Sequence, residues 1–180
     1  MKIAGLEKRV TAAESRRLAH DPRFDDTLIG IYGNWRIYLN ADQRYLGRSY
    51  AWWAGRHHID LMDISDLLPR DRDELFETIV GSFRSAVANL WGSTHVNYAW
   101  LGNETEHHRG HGHLHMIPRY FGKQPQFAGE SFPDLAIGKN YAPYEPYRAA
   151  EPIRNAIRDV LKNELQLEQI DGYDESSEER

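Results

Sequence analysis

Three histidines alternate with small or apolar residues in the segment 111–117, which reads His-Gly-His-Leu-His-Met-Ile. Alternate side chains of a β-strand lie on the same face, so this spacing predicts a strand that carries His111, His113 and His115 on one face. The intervening glycine, leucine and methionine then face the other way, as core residues would. Because an apolar core would have to satisfy every imidazole nitrogen, we expect the histidine face to be a functional surface.

A metal site is one function that this row could serve, because imidazole is a common zinc ligand. Neighbouring histidines of the row are roughly 6.6 Å apart at the backbone and can converge on one ion. The outer pair is roughly 13 Å apart, which a straight strand cannot easily bring to one ion. A metal site would therefore use two of the row and a third ligand from elsewhere, such as His107 or His108.

Phosphoryl chemistry is the other function that the row could serve. A neutral imidazole can attack phosphorus and form a covalent phosphoramidate, which divides one displacement into two steps. Neighbouring imidazoles can orient the nucleophile and donate to phosphate or leaving-group oxygens. This chemistry requires a row of imidazoles rather than a convergent cluster.

The length and charge of the chain limit the remaining possibilities. Its 180 residues suit a single domain, 1–180, and its net charge of −5 argues against long nucleic acid or an anionic membrane surface as partner. It has no cysteine, which excludes disulfides and a thiol nucleophile. The N-terminal residues contain no apolar run long enough for a signal peptide or a membrane span, so we expect a cytoplasmic protein.

The apolar pattern predicts an α+β fold, an antiparallel sheet with helices packed on it. Strands are expected in a meander from 28 to 53, with a tight turn at Gly33-Asn34 and a break at 40–42. Two further strands are expected over 95–101 and 111–118.

Two helices are expected to pack on this sheet. The first covers 72–91 and ends at Gly92, and its buried stripe comprises Leu75, Ile79, Phe83, Val87 and Leu90. The second opens at Glu151-Pro152 with the stripe Ile153, Ile157, Val160, Leu161 and Leu165. Little regular structure is predicted for 121–150, and 171–180 is predicted to be a flexible acidic tail.

The histidine row and its flanks resemble the histidine triad (HIT) family of nucleotide hydrolases and transferases. HGHLHMIPRY matches the family signature H-φ-H-φ-H-φ-φ, with Gly112 at the first φ position, and resembles the diadenosine polyphosphate hydrolase-like bacterial and archaeal branch. NYAWLGNETE and LNADQRYLGRSYAWWAGRHHIDLMDIS resemble the strands and helix entry that precede the triad. The resemblance covers about residues 28–120, and 121–170 adds a Pro-rich segment and a helix.

This resemblance implies a HIT-like sheet of about five strands, usually doubled across a homodimer. It makes His113 the nucleophile, His115 the residue that contacts the α-phosphate and assists the leaving group, and His111 a buttress of the site. Asn40 resembles the ribose-binding asparagine, and Asn103 the amide that holds phosphate oxygens.

The loop 104–110 is longer than the resemblance predicts, and it could bring other groups to the phosphates. Arg109 could supply a guanidinium there and Gly110 a backbone N–H.

The expected reaction is hydrolysis at the α-phosphate of a dinucleoside polyphosphate, a nucleoside phosphoramidate or another adenylylated compound. No cofactor is expected to be obligatory, although a divalent cation such as Mg²⁺ could accompany the phosphates. The alternatives are a nucleotidyltransferase, a metal-binding module and a noncatalytic nucleotide-binding protein. The transferase relatives are about twice as long and carry glutamine where this chain has His115, which favours hydrolysis.

Overall fold

The computed structural model describes residues 26–54, 63–101, 112–135, 138, 146–165 and 167. The strands are β1 (Leu28–Tyr32), β2 (Trp35–Leu39), β3 (Ser49–Trp53), β4 (His95–Trp100), β5 (His113–Arg119), β6 (Gln126–Phe127) and β7 (Glu130–Ser131). The helices are α1 (Pro69–Asp73), α2 (Val80–Trp91) and α3 (Glu151–Leu165), with a 3-10 turn at Ile64–Asp66 and a π-helical turn at Glu74–Ile79 between α1 and α2. Within the described residues, no helix has both the length and the apolar character that crossing a bilayer requires.

Strands β1 to β5 form one antiparallel sheet in the order β1-β2-β3-β5-β4, so the predicted α+β fold is confirmed. The triad strand β5 lies between β3 and β4. Strand β4 is the edge of the described sheet on that side, and β1 is the edge on the other.

The turn between β1 and β2 falls at Gly33-Asn34, as the sequence predicts. Gly33 has a φ of 53°, a conformation that side chains with a Cβ rarely adopt. A Cβ at this position would also lie 2.3 Å from an Oε2 of Glu74. Asn34 then donates a hydrogen bond to Asp71, which ties the hairpin to α1. Glycine is therefore required here by conformation and by close packing.

The first helical segment is longer than predicted. It begins at Pro69 rather than at 72, because proline is well suited to the first turn of a helix, where its missing N–H costs nothing. It ends at Gly92, whose left-handed backbone lets its N–H bond to the carbonyls of Val87 and Ala88. The predicted stripe is largely confirmed, since its members are buried except for Leu90, which is partly buried.

One hydrophobic core lies between the helices and one face of the sheet. Its strand residues alternate with residues of the opposite face, and its helical residues come from the π-helical turn, α2 and α3. The largest fully buried members include Trp35, Ile37, Phe83, Met116 and Ile157. The sheet therefore has one face packed on the helices, and the residues of the other face are left for the site.

The segment after β5 is more ordered than the sequence predicts. β6 and β7 form a short hairpin within the region expected to lack regular structure. Arg119 makes two hydrogen bonds to Asp134, a carboxylate that is almost fully buried, and this pair holds the segment against the end of β5. The final helix begins at Glu151 as predicted, and Ile157, Leu161 and Leu165 of its stripe are buried.

Candidate functional site

His113 and His115 lie on the face of β5 that points away from the helical core. Their neighbours Leu114 and Met116 belong to the core, so the predicted alternation of faces is observed for the described part of the row. The observed strand begins at His113, and the first residue of the row, His111, lies outside the described residues. His113 is 8% exposed and His115 is 7% exposed, so both imidazoles are held in a largely enclosed setting.

The two imidazoles contact each other directly. Their Nε2 atoms are 3.1 Å apart, and their ring centroids are 4.7 Å apart with the planes at 70°. A hydrogen bond between two ring nitrogens requires one nitrogen to donate and the other to offer a lone pair. The arrangement therefore places one protonated and one unprotonated Nε2 side by side.

Aromatic side chains of β3 form the floor next to these histidines. In the antiparallel register Trp52 lies opposite His113 and Tyr50 lies opposite His115, so all four share one face. The Trp52 ring is nearly parallel to that of His113, at 27° and 6.2 Å between centroids, and the Tyr50 ring is tilted against His115 at 6.3 Å. The next residue, Trp53, faces the other way and is buried in the core.

The aromatic floor continues onto β2. Tyr38 lies opposite Tyr50, and the two rings stack with centroids 5.5 Å apart. Burial raises the pKa of the Tyr50 phenol, and the neighbouring Tyr38 adds to that shift. Tyr50 therefore stays neutral at physiological pH and offers a flat, uncharged surface beside the histidines.

Asn40 follows β2 by one residue and lies at the Tyr38 end of this face. Its backbone N–H bonds to the Arg48 carbonyl at 2.9 Å, and its side-chain oxygen accepts from the Asp42 N–H at 2.9 Å. The oxygen thus closes a local turn, the role that asparagine commonly has in loops. From strand spacings, its Cα lies roughly 12 Å from that of His115.

The same end of this face carries a second cluster. Tyr45 packs against Ile117, and the Arg119 guanidinium lies 5.0 Å from the centre of the Tyr45 ring. Burial raises the pKa of Tyr45, and the nearby Arg119 opposes that shift. This cluster joins the 40–48 loop to the end of the triad strand and so fixes the position of Asn40 relative to the histidines.

Several predicted site residues lie outside the described residues, namely His111, Asn103, Arg109, Gly110, His107 and His108. Among the residues that the structure does describe, no group of three or more His, Asp or Glu side chains could hold a metal ion. The structure also adds residues that the sequence reasoning missed: Arg36, Tyr38 and Tyr50 share the histidine face. Their alternation on β2 and β3 was visible in the sequence, but the register that aligns them with β5 was not.

Comparison with known proteins shows similarity at the level of structure. No protein-family model and no curated protein matches the chain. A histidine triad protein from Marinobacter aquaeolei VT8 superposes with a TM-score of 0.60 at 21% identity, covering 82% of this chain and 96% of that one. A histidine triad protein from Bradyrhizobium japonicum has a TM-score of 0.57 at 18% identity and covers 81% and 96%. A histidine triad protein from Sinorhizobium meliloti 1021 has a TM-score of 0.56 at 19% identity, and the match covers 81% of this chain and 95% of that one.

These similarities establish the fold. The five-stranded antiparallel sheet with its packed helices is the HIT-like α+β fold of these solved structures.

Proposed function

We propose that this protein is a nucleotide hydrolase that acts at the α-phosphate through a nucleotidyl–His113 intermediate. The observation that carries the proposal is the pair of Nε2 atoms 3.1 Å apart on one face of β5. An imidazole that offers a lone pair beside one that holds a proton combines a nucleophile with a proton donor. The HIT-like fold of the solved neighbours supports a nucleotide as the ligand.

The reaction would proceed in two displacements. The His113 Nε2 lone pair attacks phosphorus, the N–P bond forms, and the bond from phosphorus to the leaving-group oxygen or nitrogen breaks. His115 gives its Nε2 proton to the departing atom. Water then attacks the same phosphorus and passes a proton back to His115, the N–P bond breaks, and a nucleoside monophosphate leaves.

We place the nucleoside at the Tyr38 and Asn40 end of the histidine face. The partly exposed ring of Tyr50, stacked on the buried ring of Tyr38, offers an aromatic surface of the kind on which bases stack. The Asn40 oxygen is engaged in its turn, but its side-chain amide nitrogen has no hydrogen bond to any described residue. That donor could bond a ribose hydroxyl.

The remaining predicted residues would complete the site around the phosphates. We propose that His111 buttresses His113, and that Asn103, Arg109 and Gly110 bring donors to phosphate oxygens. A Mg²⁺ ion bound with a polyphosphate would neutralise part of its charge, but no step depends on it. We propose that the protein acts in the cytoplasm, a reducing compartment with which a chain without cysteine is compatible.

We also propose a homodimer that forms through β4. This strand is an edge of the described sheet, and its Tyr98 is 37% exposed. An edge strand exposes unpaired backbone groups and is a template for pairing with a second chain. Light scattering in line with size exclusion should give twice the chain mass of 20.9 kDa.

A metal-binding module is the second candidate, and the same pair of atoms favours it. Two tetrahedral ligands bonded at 2.0–2.1 Å lie roughly 3.4 Å apart, which is close to the observed separation of the Nε2 atoms. Such a site needs a third ligand from outside the described residues, such as His107 or His108. Stoichiometric zinc that is lost in His113→Ala would support this candidate.

The test of the hydrolase is a substrate panel of dinucleoside tri- and tetraphosphates, a nucleoside phosphoramidate and an aminoacyl adenylate. We expect turnover of at least one, and a loss of at least about 10³-fold in His113→Ala. Adding a second phosphate compound as acceptor separates hydrolysis from nucleotidyl transfer. Binding of AMP without turnover of any substrate would instead indicate a noncatalytic nucleotide-binding protein.

A further inference from the structure

Arg36 shares the histidine face, although the proposed reaction assigns it no task. It lies opposite Trp52, which in turn lies opposite His113, so the three form one row across β2, β3 and β5. The neighbours of Arg36 on β2, Trp35 and Ile37, are fully buried in the core. The alternation therefore places the Arg36 side chain on the side where the histidines lie.

The hydrogen bonds of Arg36 leave most of its guanidinium available. Its Nη1 donates to the carbonyls of Gly33 and Trp35, each at 3.3 Å, and no described carboxylate pairs with it. Burial lowers the pKa of the Arg36 guanidinium, and the neighbouring Tyr38 opposes that shift. A half-buried cation without an acidic partner is costly to maintain, so this group is suited to receive an anion.

The other arginines on this side of the sheet differ in this respect. Arg48 pairs with Asp42 at 2.6 Å, and Arg119 makes its two bonds to Asp134. Each of these cations is neutralised within the protein. Arg36 is the described arginine of the histidine face that lacks such a partner.

The position of Arg36 selects the part of the substrate that it can reach. Arg36 on β2 and Asn40, which directly follows that strand, lie on opposite sides of Tyr38, and the proposed function places the nucleoside at Asn40. The leaving group then extends toward Arg36. Two strand spacings separate the Cα atoms of Arg36 and His113 by roughly 10 Å, so a ligand that contacts both must extend across Trp52.

We propose that Arg36 binds the anionic part of the leaving group, such as the distal phosphates of a polyphosphate. The inference rests on the proposed function and deepens it. A planar guanidinium can bond two phosphate oxygens at once, whereas an amine leaving group offers it no negative charge. Arg36 therefore makes the protein prefer substrates with polyanionic leaving groups over phosphoramidates.

The test compares Arg36→Gln with wild type on two substrates, diadenosine tetraphosphate and adenosine 5′-phosphoramidate. Because the variant loses its charge-assisted hydrogen bonds to phosphate, we expect kcat/KM for the tetraphosphate to fall about 10- to 100-fold. For the phosphoramidate we expect a change within about threefold. R36K keeps the charge but not the two-pronged geometry, so it should recover only part of the preference.

Arg72→Gln is the matched control. It removes one positive charge from an exposed position on α1, which packs at the core side of the sheet through Asp71 and Trp35. It should leave the ratio of the two kcat/KM values unchanged. Thermal melts of R36Q and R36K establish that both variants are folded.

An equal loss on both substrates in R36Q would overturn the inference, because Arg36 would then serve the nucleotide or the fold rather than the leaving group. A binding experiment does not depend on turnover. Inorganic tripolyphosphate, titrated by calorimetry, should bind R36Q at least about tenfold more weakly than wild type. Equal affinities would refute the role of Arg36, whereas absent turnover with a clear affinity difference would refute only the hydrolase.

Discussion

The Nε2 atoms of His113 and His115 lie 3.1 Å apart, with both imidazoles largely buried on one face of a single strand. A hydrogen bond between these two nitrogens requires one to hold a proton and the other to offer a lone pair, which would put a proton donor beside a nucleophile. A phosphorus atom placed beside them could be attacked by one ring while the other protonates the departing group.

His115→Gln tests the proton donor. Glutamine keeps a hydrogen-bonding side chain but cannot act as a general acid, so kcat should fall about 10²- to 10⁴-fold for substrates whose leaving group must be protonated. A substrate with a stabilised leaving group such as p-nitrophenol needs little protonation, so its first displacement should slow much less. The measurement is the rate of leaving-group release in the first turnover on both substrates, and equal losses in that rate would contradict the assigned role.

Trp52→Leu tests how the nucleophile is positioned. The Trp52 ring lies nearly parallel to that of His113, so its removal should let the imidazole rotate away from the attacking geometry. For Trp52→Leu we expect kcat to fall about tenfold or more, with a smaller change in KM. Trp52→Phe keeps an aromatic ring at this position and should retain most of the wild-type kcat. Trp53→Phe, one residue along but facing the core, is the control and should alter stability without changing kcat. A change confined to KM would show that Trp52 serves binding instead.

Gly33→Ala tests the packing of the β1–β2 turn against the helical layer. The positive φ and the approach to Glu74 predict a loss of about 1–2 kcal/mol in the free energy of unfolding. Gly81→Ala is the contrasting variant, because nothing lies within 4 Å of a Cβ at that helical position. It should stabilise the protein by about 0.5–1 kcal/mol. Unfolding in urea measures the free energy of unfolding of both variants. A change of the same sign in the two variants would contradict this account.

Tyr120→Phe tests the alkaline limit of stability. The Tyr120 hydroxyl donates to the Leu46 carbonyl at 2.6 Å, and burial, with help from Asp134, raises the pKa of the phenol above its usual value of 10.0. Because the folded-state pKa is raised, the stabilisation is fully present below about pH 10 and is lost as the pH rises further. The variant should lose about 0.5–1.5 kcal/mol at pH 8, and this difference should narrow above pH 10. A difference that stays constant from pH 8 to 11.5 would contradict the argument.

The sequence predicted those parts of the fold that depend on local patterns. The His113–His115 alternation, the Gly33-Asn34 turn, the stop at Gly92 and the first residue of α3 each follow from periodicity or from one residue's conformational preference. The hairpin of β6 and β7 was missed, because its two-residue strands are too short to show a period.

The candidate site was predictable on β5 but not on the strands beside it. The alternating histidines form a pattern that is visible within one segment of the sequence. Tyr38, Tyr50 and Arg36 join the site only through the register of β2, β3 and β5. Register depends on pairing across distant parts of the chain, which no single segment reveals. The structure likewise shows that the Asn40 oxygen closes a turn, a contact that depends on the path of the chain after β2.

The most direct test of the central claim is the site of the covalent intermediate. The protein is mixed with diadenosine tetraphosphate or adenosine 5′-phosphoramidate, quenched under alkaline conditions that preserve a phosphoramidate, digested and analysed by mass spectrometry. We predict one adenylyl group on His113 in the wild-type protein and none in His113→Ala. An adduct on another residue, or full turnover by His113→Ala, would contradict the account.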